Sequence, residues 1–273
     1  MKYAICNELY EGWNFGDVCR SVAGIGYTSL EVAPFTLAPL VTDISTETRK
    51  TLRKQAEDAG LQILGLHWLL AKTTGFHLNS PEESVRRRTA EYLAEQVRCC
   101  ADLGGELMVF GSPPARKILP GVTMDEAMEY AADTLRKITA VLAERKVRFC
   151  IEPLAPAETD FLQTADEGTR LMRMIDHPNV VLHLDVKAMS SESQPIPEII
   201  AKHVSHTGHF HANDPNMRGP GMGKVDFHPI FQALKDNHYK GWVSVEVFDF
   251  KPDPETIARE SLEYMRRCEA ELH

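Results

Sequence analysis

Short apolar runs alternate with longer amphipathic stretches along the whole chain. The runs are rich in Val, Ile and Leu, whereas the stretches between them have the period of helices. This alternation is typical of parallel strands joined by helical crossovers. Eight runs predict strands: YAICNE from Tyr3, SLEVAP from Ser29, LQILGLHWLL from Leu61, ELMVFGSP from Glu106, VRFCIEPLAP from Val147, VVLHLDVKAM from Val180, SHTGHFHAND from Ser205 and WVSVEVFDF from Trp242.

The stretch between the fourth and fifth runs predicts a helix. Its apolar residues recur at spacings of three and four, as Met128, Ala131, Leu135, Ile138 and Leu142. This spacing lines up an apolar stripe on one side of a helix and leaves polar residues on the other. We therefore expect the stripe to pack on a sheet.

The number of strand and helix units predicts the fold class. Eight units in 273 residues match a closed (β/α)8 barrel, for which about 250 residues are typical. An open doubly wound sheet is the alternative, but neither a GxGxxG after the first strand nor a GxxxxGK[ST] is present. No linker or low-complexity segment interrupts the pattern. The sequence therefore predicts an α/β protein, a TIM barrel, that forms one domain over residues 1–273.

Charge and cysteine usage narrow the classes of partner. The chain has 30 Lys and Arg against 39 Asp and Glu, a net charge of −9, which disfavours binding to nucleic acid and to anionic membranes. Its six cysteines form no CxxC pair, and the start MKYAICNELY lacks the plan of a signal peptide. The apolar stretches are shorter than the ~20 residues that cross a bilayer. We expect reduced thiols in a cytoplasmic protein without a membrane span.

Four successive strands of the second half end in a side chain that can bind a metal. These residues are Glu152, Asp185, His211 and Glu246. The carboxyl ends of barrel strands converge on one face, and three carboxylates there would repel one another unless a cation neutralised them. Oxygen-rich ligation with one imidazole suits Mn²⁺ best, or Mg²⁺, with Co²⁺ and Zn²⁺ as further candidates. The sequence predicts one divalent ion at this face.

The same segments resemble a known family. IEPLAPAET, LHLDVKAM, HFHANDP and VSVEVF, together with GIGYTSLEVAPF, are similar to the sugar phosphate isomerase/epimerase superfamily of xylose isomerase-like TIM barrels. The metal-dependent ketose 3-epimerases are the characterised group that the chain resembles most. The resemblance covers the whole chain and implies that the four residues bind one divalent ion. It also implies that Glu152 and Glu246 act as the acid/base pair, and that Glu158, Arg218 and Phe248 line a sugar site.

One position departs from that family. The epimerases have a histidine three residues after the ligand aspartate, and this chain has Ala188 there. A contact to a sugar hydroxyl is then missing or is replaced, with Lys187 as the candidate.

Further residues could reach the site. His67 and Trp68, at the end of the third strand, could offer a hydroxyl contact and a flat apolar wall for a sugar ring, or they could be a packed core pair. His209 faces the same way along its strand as His211 and could support it. Glu31, at the end of the second strand, could also reach the pocket.

The predicted chemistry is a proton transfer next to a carbonyl. Such a carbon-bound proton is a very weak acid, and a divalent ion lowers the barrier by chelating the carbonyl and a neighbouring hydroxyl and stabilising the enediolate. One carboxylate removes the proton and the other returns a proton to the far side, which gives epimerisation. Delivery to the adjacent carbon gives aldose-ketose isomerisation instead. We expect a metal-dependent isomerase of carbohydrate metabolism that acts on a small sugar.

Several other functions remain open from the sequence. A hydroxypyruvate isomerase-like or inosose dehydratase-like enzyme would use the same ion and carboxylates. An apurinic endonuclease-like nuclease would need more histidines than Val109-Phe110-Gly111 and Ala188 provide. A non-catalytic sugar-binding protein would not need two acid/base glutamates at one ion. The assembly could also be a homodimer or a homotetramer.

Overall fold

The computed structural model describes residues 1–273 and contains eight parallel strands that close into a barrel. The strands are β1 (Lys2–Cys6), β2 (Ser29–Val32), β3 (Gln62–Leu66), β4 (Leu107–Phe110), β5 (Arg148–Ile151), β6 (Val180–Asp185), β7 (Thr207–Ala212) and β8 (Trp242–Val245). The helices are α1 (Phe15–Ile25), α2 (Thr46–Asp58), α3 (Glu83–Asp102), α4 (Met124–Arg136), α5 (Thr139–Arg145), α6 (Ala165–Ile175), α7 (Val186–Met189), α8 (Ile196–His203), α9 (Phe227–Asp236) and α10 (Pro254–Ala270).

The predicted (β/α)8 barrel is confirmed, and each of the eight apolar runs contains one strand. All six cysteines are free and buried thiols, as expected. None of the helices combines the length and the apolar character that a bilayer crossing requires.

The helix predicted from Met128 to Leu142 is instead two helices, α4 and α5. The chain turns between them, where the Thr139 hydroxyl donates a hydrogen bond to the Arg136 carbonyl at 2.9 Å. A side chain that bonds to a nearby carbonyl competes with the helical ladder, which explains the break. All five residues of the predicted stripe are nevertheless fully buried.

Closure of the barrel depends on pairing between the first and last strands. Ile5 of β1 lies in register with Val245 of β8, and every other strand pairs with its neighbour in chain order. All the pairs are parallel, so the carboxyl ends of the eight strands meet at one end of the barrel, which we call the mouth. Residues that follow different strands are thereby brought together at the mouth.

The two faces of the sheet carry separate apolar layers. Ile5, Met108 and Phe149 belong to the large core between the strands and the surrounding helices. Successive side chains of a strand point to opposite faces of the sheet, so the neighbours of these residues along each strand point into the barrel. A small apolar cluster fills the interior at the amino ends of the strands and consists of Ala4, Leu64, Leu107, Val109, Cys150 and Trp242.

Nearer the mouth the interior becomes polar. Glu31, His183 and His209 are all completely buried there, and we call these three residues the polar layer. His209 Nε2 lies 2.8 Å from a carboxylate oxygen of Glu31. The polar layer separates the apolar interior from the residues at the mouth.

Gly65 provides a test of how closely β3 and β4 approach. A methyl group at this position would overlap the Leu107 carbonyl oxygen, whereas a methyl group at Gly24, in α1, would meet no atom within 4 Å. We expect Gly65→Ala to lower the free energy of unfolding by about 1–3 kcal/mol, since overpacking forces the strands apart. Gly24→Ala should be neutral or stabilising by up to about 1 kcal/mol. Urea denaturation of both variants would measure this, and equal stabilities would contradict it.

Candidate active site

Four predicted ligands lie together at the mouth of the barrel. Glu152 directly follows β5, Asp185 is the last residue of β6, His211 lies near the end of β7, and Glu246 directly follows β8. Each of the four is at most 5% exposed. Consecutive strands therefore place three carboxylates and an imidazole around one centre, where water has little access to them.

The donor atoms are close enough to share an ion. Glu152, Asp185, His183 and His211 each offer one donor atom, and all four atoms lie within 4.8 Å of one another. Glu246 lies beside this group: its Oε2 is 3.2 Å from His211 Nδ1, and its carboxylate forms a second group of donors with Glu8 and His67. Two ligands that each bind one ion at about 2.1 Å are separated by roughly 3 Å. The spacing therefore fits a divalent ion between them.

Hydrogen bonds hold two of the carboxylates in place. Oδ1 of Asp185 accepts from the backbone N–H of Ala188 at 2.7 Å, and its Oδ2 accepts from Asn213 Nδ2 at 2.6 Å. Glu246 Oε1 accepts from the indole N–H of Trp68 at 2.7 Å. A carboxylate oxygen can accept more than one hydrogen bond. These contacts therefore orient the two groups and still leave lone pairs for a cation.

Glu152 is held through its backbone rather than through its carboxylate. Its carbonyl accepts a hydrogen bond from the fully buried guanidinium of Arg116 at 2.5 Å. The side chain occupies the space left by Gly111, because a methyl group there would overlap Glu152 Oε2. His183 Nε2 is 3.7 Å from Oε1, which is beyond hydrogen-bond distance. The Glu152 carboxylate is thus free to bind a ligand.

The three carboxyls at the mouth influence one another's protonation. Burial, together with Glu246 and Asp185, raises the pKa of Glu152 well above its usual range. Burial also raises the pKa of Asp185, although Lys187 opposes this shift. Burial alone would raise the pKa of Glu246 as well, but His211, His67 and Lys187 together outweigh burial and lower it. A divalent cation at this centre would favour the ionised form of all three carboxyls.

The second ring nitrogen of His211 faces the polar layer. His211 Nε2 lies 3.2 Å from Glu31 Oε1. Burial alone would raise the pKa of Glu31, but His209 and His211 hold it well below its usual range, so Glu31 is ionised. A histidine that binds a metal through one nitrogen usually bonds a carboxylate or a carbonyl through the other. The structure places Glu31 in contact with both His209 and His211, while their support of a metal-bound His211 stays a prediction.

The chemistry of the donor set fits a resident divalent ion. Both ring nitrogens of His183 are buried without a hydrogen-bond partner. Buried polar atoms rarely remain unpaired unless water or an ion satisfies them. Carboxylates predominate and thiolates are absent from the four predicted ligands, which suits Mn²⁺ or Mg²⁺. Ligation itself stays a prediction.

Four of the residues predicted to contact a sugar form a second group at the mouth. Lys187 Nζ donates to Glu158 Oε1 at 2.7 Å and lies 4.5 Å from the centre of the Phe248 ring. The Phe248 ring stacks on Trp68 with the ring centres 5.7 Å apart. Burial would lower the pKa of Lys187, but Asp185 and Glu158 raise it, so the ammonium is charged. The charged Lys187 side chain thus lies next to Ala188, the position where the family resemblance leads us to expect a histidine.

The other two predicted contact residues have partners of their own. His67 is completely buried, and its Nε2 lies 2.6 Å from Glu8 Oε2. Arg218 donates to the Lys251 carbonyl at 2.6 Å, in the loop after β8. The structure brings His67 to the inner edge of the mouth and ties Arg218 to that loop, while their contact with a sugar stays a prediction.

Sequence reasoning missed four residues of this site, namely Glu8, Arg116, His183 and Asn213. Glu8 follows β1, and Asn213 lies two residues after His211, so both occupy the strand-end positions that identified the ligands. His183 lies two residues before Asp185 and shares its face of the strand by alternation. Arg116 lies in an irregular loop, and no spacing rule identifies it.

Known proteins resemble this chain over almost its whole length. The xylose isomerase-like TIM barrel family matches residues 19–268. A D-psicose 3-epimerase of Agrobacterium fabrum is 30% identical over 258 residues, which cover 91% of this chain and 85% of that protein.

Solved structures share the fold. D-psicose 3-epimerase with D-tagatose from Clostridium cellulolyticum H10 matches with a TM-score of 0.88 at 22% identity, over 100% of both chains. A 3-keto-D-glucoside 4-epimerase from Escherichia coli, in its apo form, matches with a TM-score of 0.84 at 20% identity, over 98% of this chain and 100% of that chain.

The space at Gly111 provides a test of the centre. We expect Gly111→Ala to weaken Mn²⁺ binding by at least about tenfold, because the added methyl group displaces the Glu152 carboxylate from the other donors. Gly24→Ala, on the outside of α1, should bind Mn²⁺ like the wild type. Calorimetric titration of metal-free protein measures both affinities. Wild-type affinity in Gly111→Ala would show that Glu152 does not contribute to the centre.

Proposed function

This chain belongs to the xylose isomerase-like TIM barrel family, and we propose that it is a divalent-metal-dependent epimerase that moves a proton next to the carbonyl of a keto sugar or sugar derivative. Its relatives in the comparison are epimerases, which places the chain among the isomerases. The observation that carries the proposal is the arrangement of two buried glutamates, Glu152 and Glu246, around one set of metal-binding donors.

We assign one ion to Glu152, Asp185, His211 and Glu246, with Mn²⁺ as the first candidate and Mg²⁺, Co²⁺ or Zn²⁺ as alternatives. When bound, it would polarise the substrate carbonyl and offset the negative charge that develops as the proton leaves. The protein contributes a rigid, poorly hydrated frame for that chemistry. Asn213 and the Ala188 N–H orient Asp185 within this frame.

Glu152 and Glu246 are the proposed acid/base pair. They follow β5 and β8, which are three strands apart in a barrel of eight, so they approach the centre from different directions. One carboxylate takes the proton from the carbon next to the carbonyl and leaves an enediolate. The other, in its protonated form, returns a proton to the opposite face and so inverts that carbon. Inversion requires proton transfer at both faces of one carbon, and two carboxyls on different sides of it can provide this.

The residues around Lys187 are the proposed contacts for the rest of the sugar. The Lys187 ammonium and the Glu158 carboxylate can bind hydroxyl oxygens, and Phe248 offers an apolar edge beside them. The named relatives include both 3-epimerases and a 4-epimerase, so loop side chains such as these decide which carbon meets the glutamates. In this proposal Lys187 makes the hydroxyl contact that a histidine at position 188 would make, since this chain has alanine there.

Proton exchange with solvent tests the proposed reaction. Mn²⁺-loaded protein in deuterated water should incorporate one deuterium next to the carbonyl of at least one sugar in a panel of ketoses and 3-keto glycosides. We expect Glu152→Gln and Glu246→Gln to slow exchange by about 10²–10⁴-fold, because each removes an acid/base group. Glu144→Gln, at an exposed position of α5, is the matched control and should be unchanged.

The products of the same reactions separate the alternatives. An inverted carbon identifies an epimerase, a shifted carbonyl identifies an isomerase, and loss of water identifies a dehydratase. If Mn²⁺-loaded wild-type protein exchanges no proton on any sugar of the panel, the proposed activity is wrong. Sugar binding without turnover would instead indicate a sugar-binding protein.

Lys187 provides a second test, on substrate binding. Lys187→Met keeps the aliphatic stem but removes the ammonium, which should lower kcat/KM by about 10- to 100-fold, the contribution of one hydrogen bond to a charged group. Lys137→Met, which removes a surface cation paired with Asp133, should leave kcat/KM unchanged. Steady-state kinetics would measure both. An unchanged kcat/KM for Lys187→Met would exclude a contact between Lys187 and the substrate.

A further inference from the structure

Trp68 has an unusual backbone conformation directly after β3. Its φ is 52°, in the left-handed region that residues other than glycine rarely adopt. Along an extended strand, successive side chains point to opposite faces, so an extended Trp68 would turn away from the interior that His67 faces. The left-handed backbone brings the Trp68 indole over the mouth, next to Glu246. Strain of this kind is found where the surrounding structure requires an unusual direction of a side chain.

The indole N–H is bonded to a predicted metal ligand. Trp68 Nε1 donates to Glu246 Oε1 at 2.7 Å, while Glu246 Oε2 lies 3.2 Å from His211 Nδ1. The two oxygens of Glu246 therefore have different surroundings. Oε1 accepts one hydrogen bond from the indole and keeps a second lone pair for the proton that Glu246 is proposed to transfer, whereas Oε2 faces the shared centre.

Two aromatic rings lie against the indole that carries this N–H. Phe35 and Phe248 each lie with their ring centres 5.7 Å from that of Trp68, and we call the three residues the aromatic roof. A lysine ammonium lies over each outer ring, Lys72 over Phe35 at 4.1 Å and Lys187 over Phe248 at 4.5 Å. With Phe248 stacked on it and Phe35 tilted against it, the indole has little free face for a sugar ring. It acts on the site through its N–H.

We propose that Trp68 is a positioning residue for Glu246, whose Oε1 it holds so that Oε2 alone is presented to the divalent ion. This inference rests on the proposed metal-dependent function. A carboxylate that binds through one oxygen and is fixed through the other keeps a constant direction toward both the ion and the substrate.

Mn²⁺ affinity of the metal-free protein tests the proposal without any substrate. Trp68→Phe keeps a ring in the aromatic roof and removes the donor, and we expect about tenfold weaker Mn²⁺ binding by calorimetric titration. On a sugar that exchanges its proton, kcat should fall by about tenfold while KM changes less than about twofold. Phe35→Leu is the matched control, because it removes a ring of the same roof and keeps the N–H. Its Mn²⁺ affinity should stay within about threefold of the wild type.

A double-mutant cycle shows whether Trp68 acts through Glu246. In a Glu246→Ala background, Trp68→Phe should no longer weaken Mn²⁺ binding, since the acceptor of its hydrogen bond is gone. The proposal is overturned if Trp68→Phe binds Mn²⁺ like the wild type, if Phe35→Leu weakens binding equally, or if the loss persists in the Glu246→Ala background. Thermal melts confirm folding, and Trp68→Met is a second donor-free variant should Trp68→Phe not fold. Wild-type protein that binds no divalent ion would instead overturn the proposed function.

Discussion

The arrangement of the site depends on the burial of five carboxylates at one end of the barrel. Glu8, Glu31, Glu152, Asp185 and Glu246 are each at most 5% exposed. Removing an ionised carboxylate from water costs several kcal/mol unless another charge or a set of donors compensates. Most of the polar structure around the mouth provides this compensation. The carboxylates that lack full compensation are the ones to which we assign the proposed cation.

The five buried carboxylates differ in how well neighbouring groups compensate their charge. His67 faces Glu8, and His209 and His211 face Glu31, so the inner carboxylates have imidazole partners within hydrogen-bond distance. At the mouth, the Glu152 carboxylate lies 3.7 Å from its neighbouring imidazole. Arg116 is buried nearby, where burial lowers its pKa to about 10, and its guanidinium bonds the Glu152 carbonyl. A divalent ion is the group that would complete the balance at this position.

The same layering separates stability from chemistry. Two apolar groups stabilise the barrel: the small cluster inside it and the large core outside the sheet. The polar layer lies between this frame and the mouth and contacts His211 through Glu31. The segments after β5, β6 and β8 supply Glu158, Lys187 and Phe248, which lie outside the strands of the barrel. Fold and chemistry are thus carried by different parts of the chain, and the proposed sugar contacts come from the segments that follow the strands.

The order of residues along the chain was enough to determine the barrel and its four predicted ligands. Alternating apolar runs have a physical period, and residues at the carboxyl ends of parallel strands must converge once the barrel closes. The helix predicted from Met128 to Leu142 failed in part, because a local bond between Thr139 and Arg136 has no signal in hydrophobic periodicity. Three contacts of the site could be found only in the tertiary structure. Glu8 pairs with His67, the Arg116 guanidinium bonds the Glu152 carbonyl, and the Trp68 indole donates to Glu246. These contacts join residues that are 36 to 178 positions apart and depend on loop conformations, on which strand periodicity gives no information.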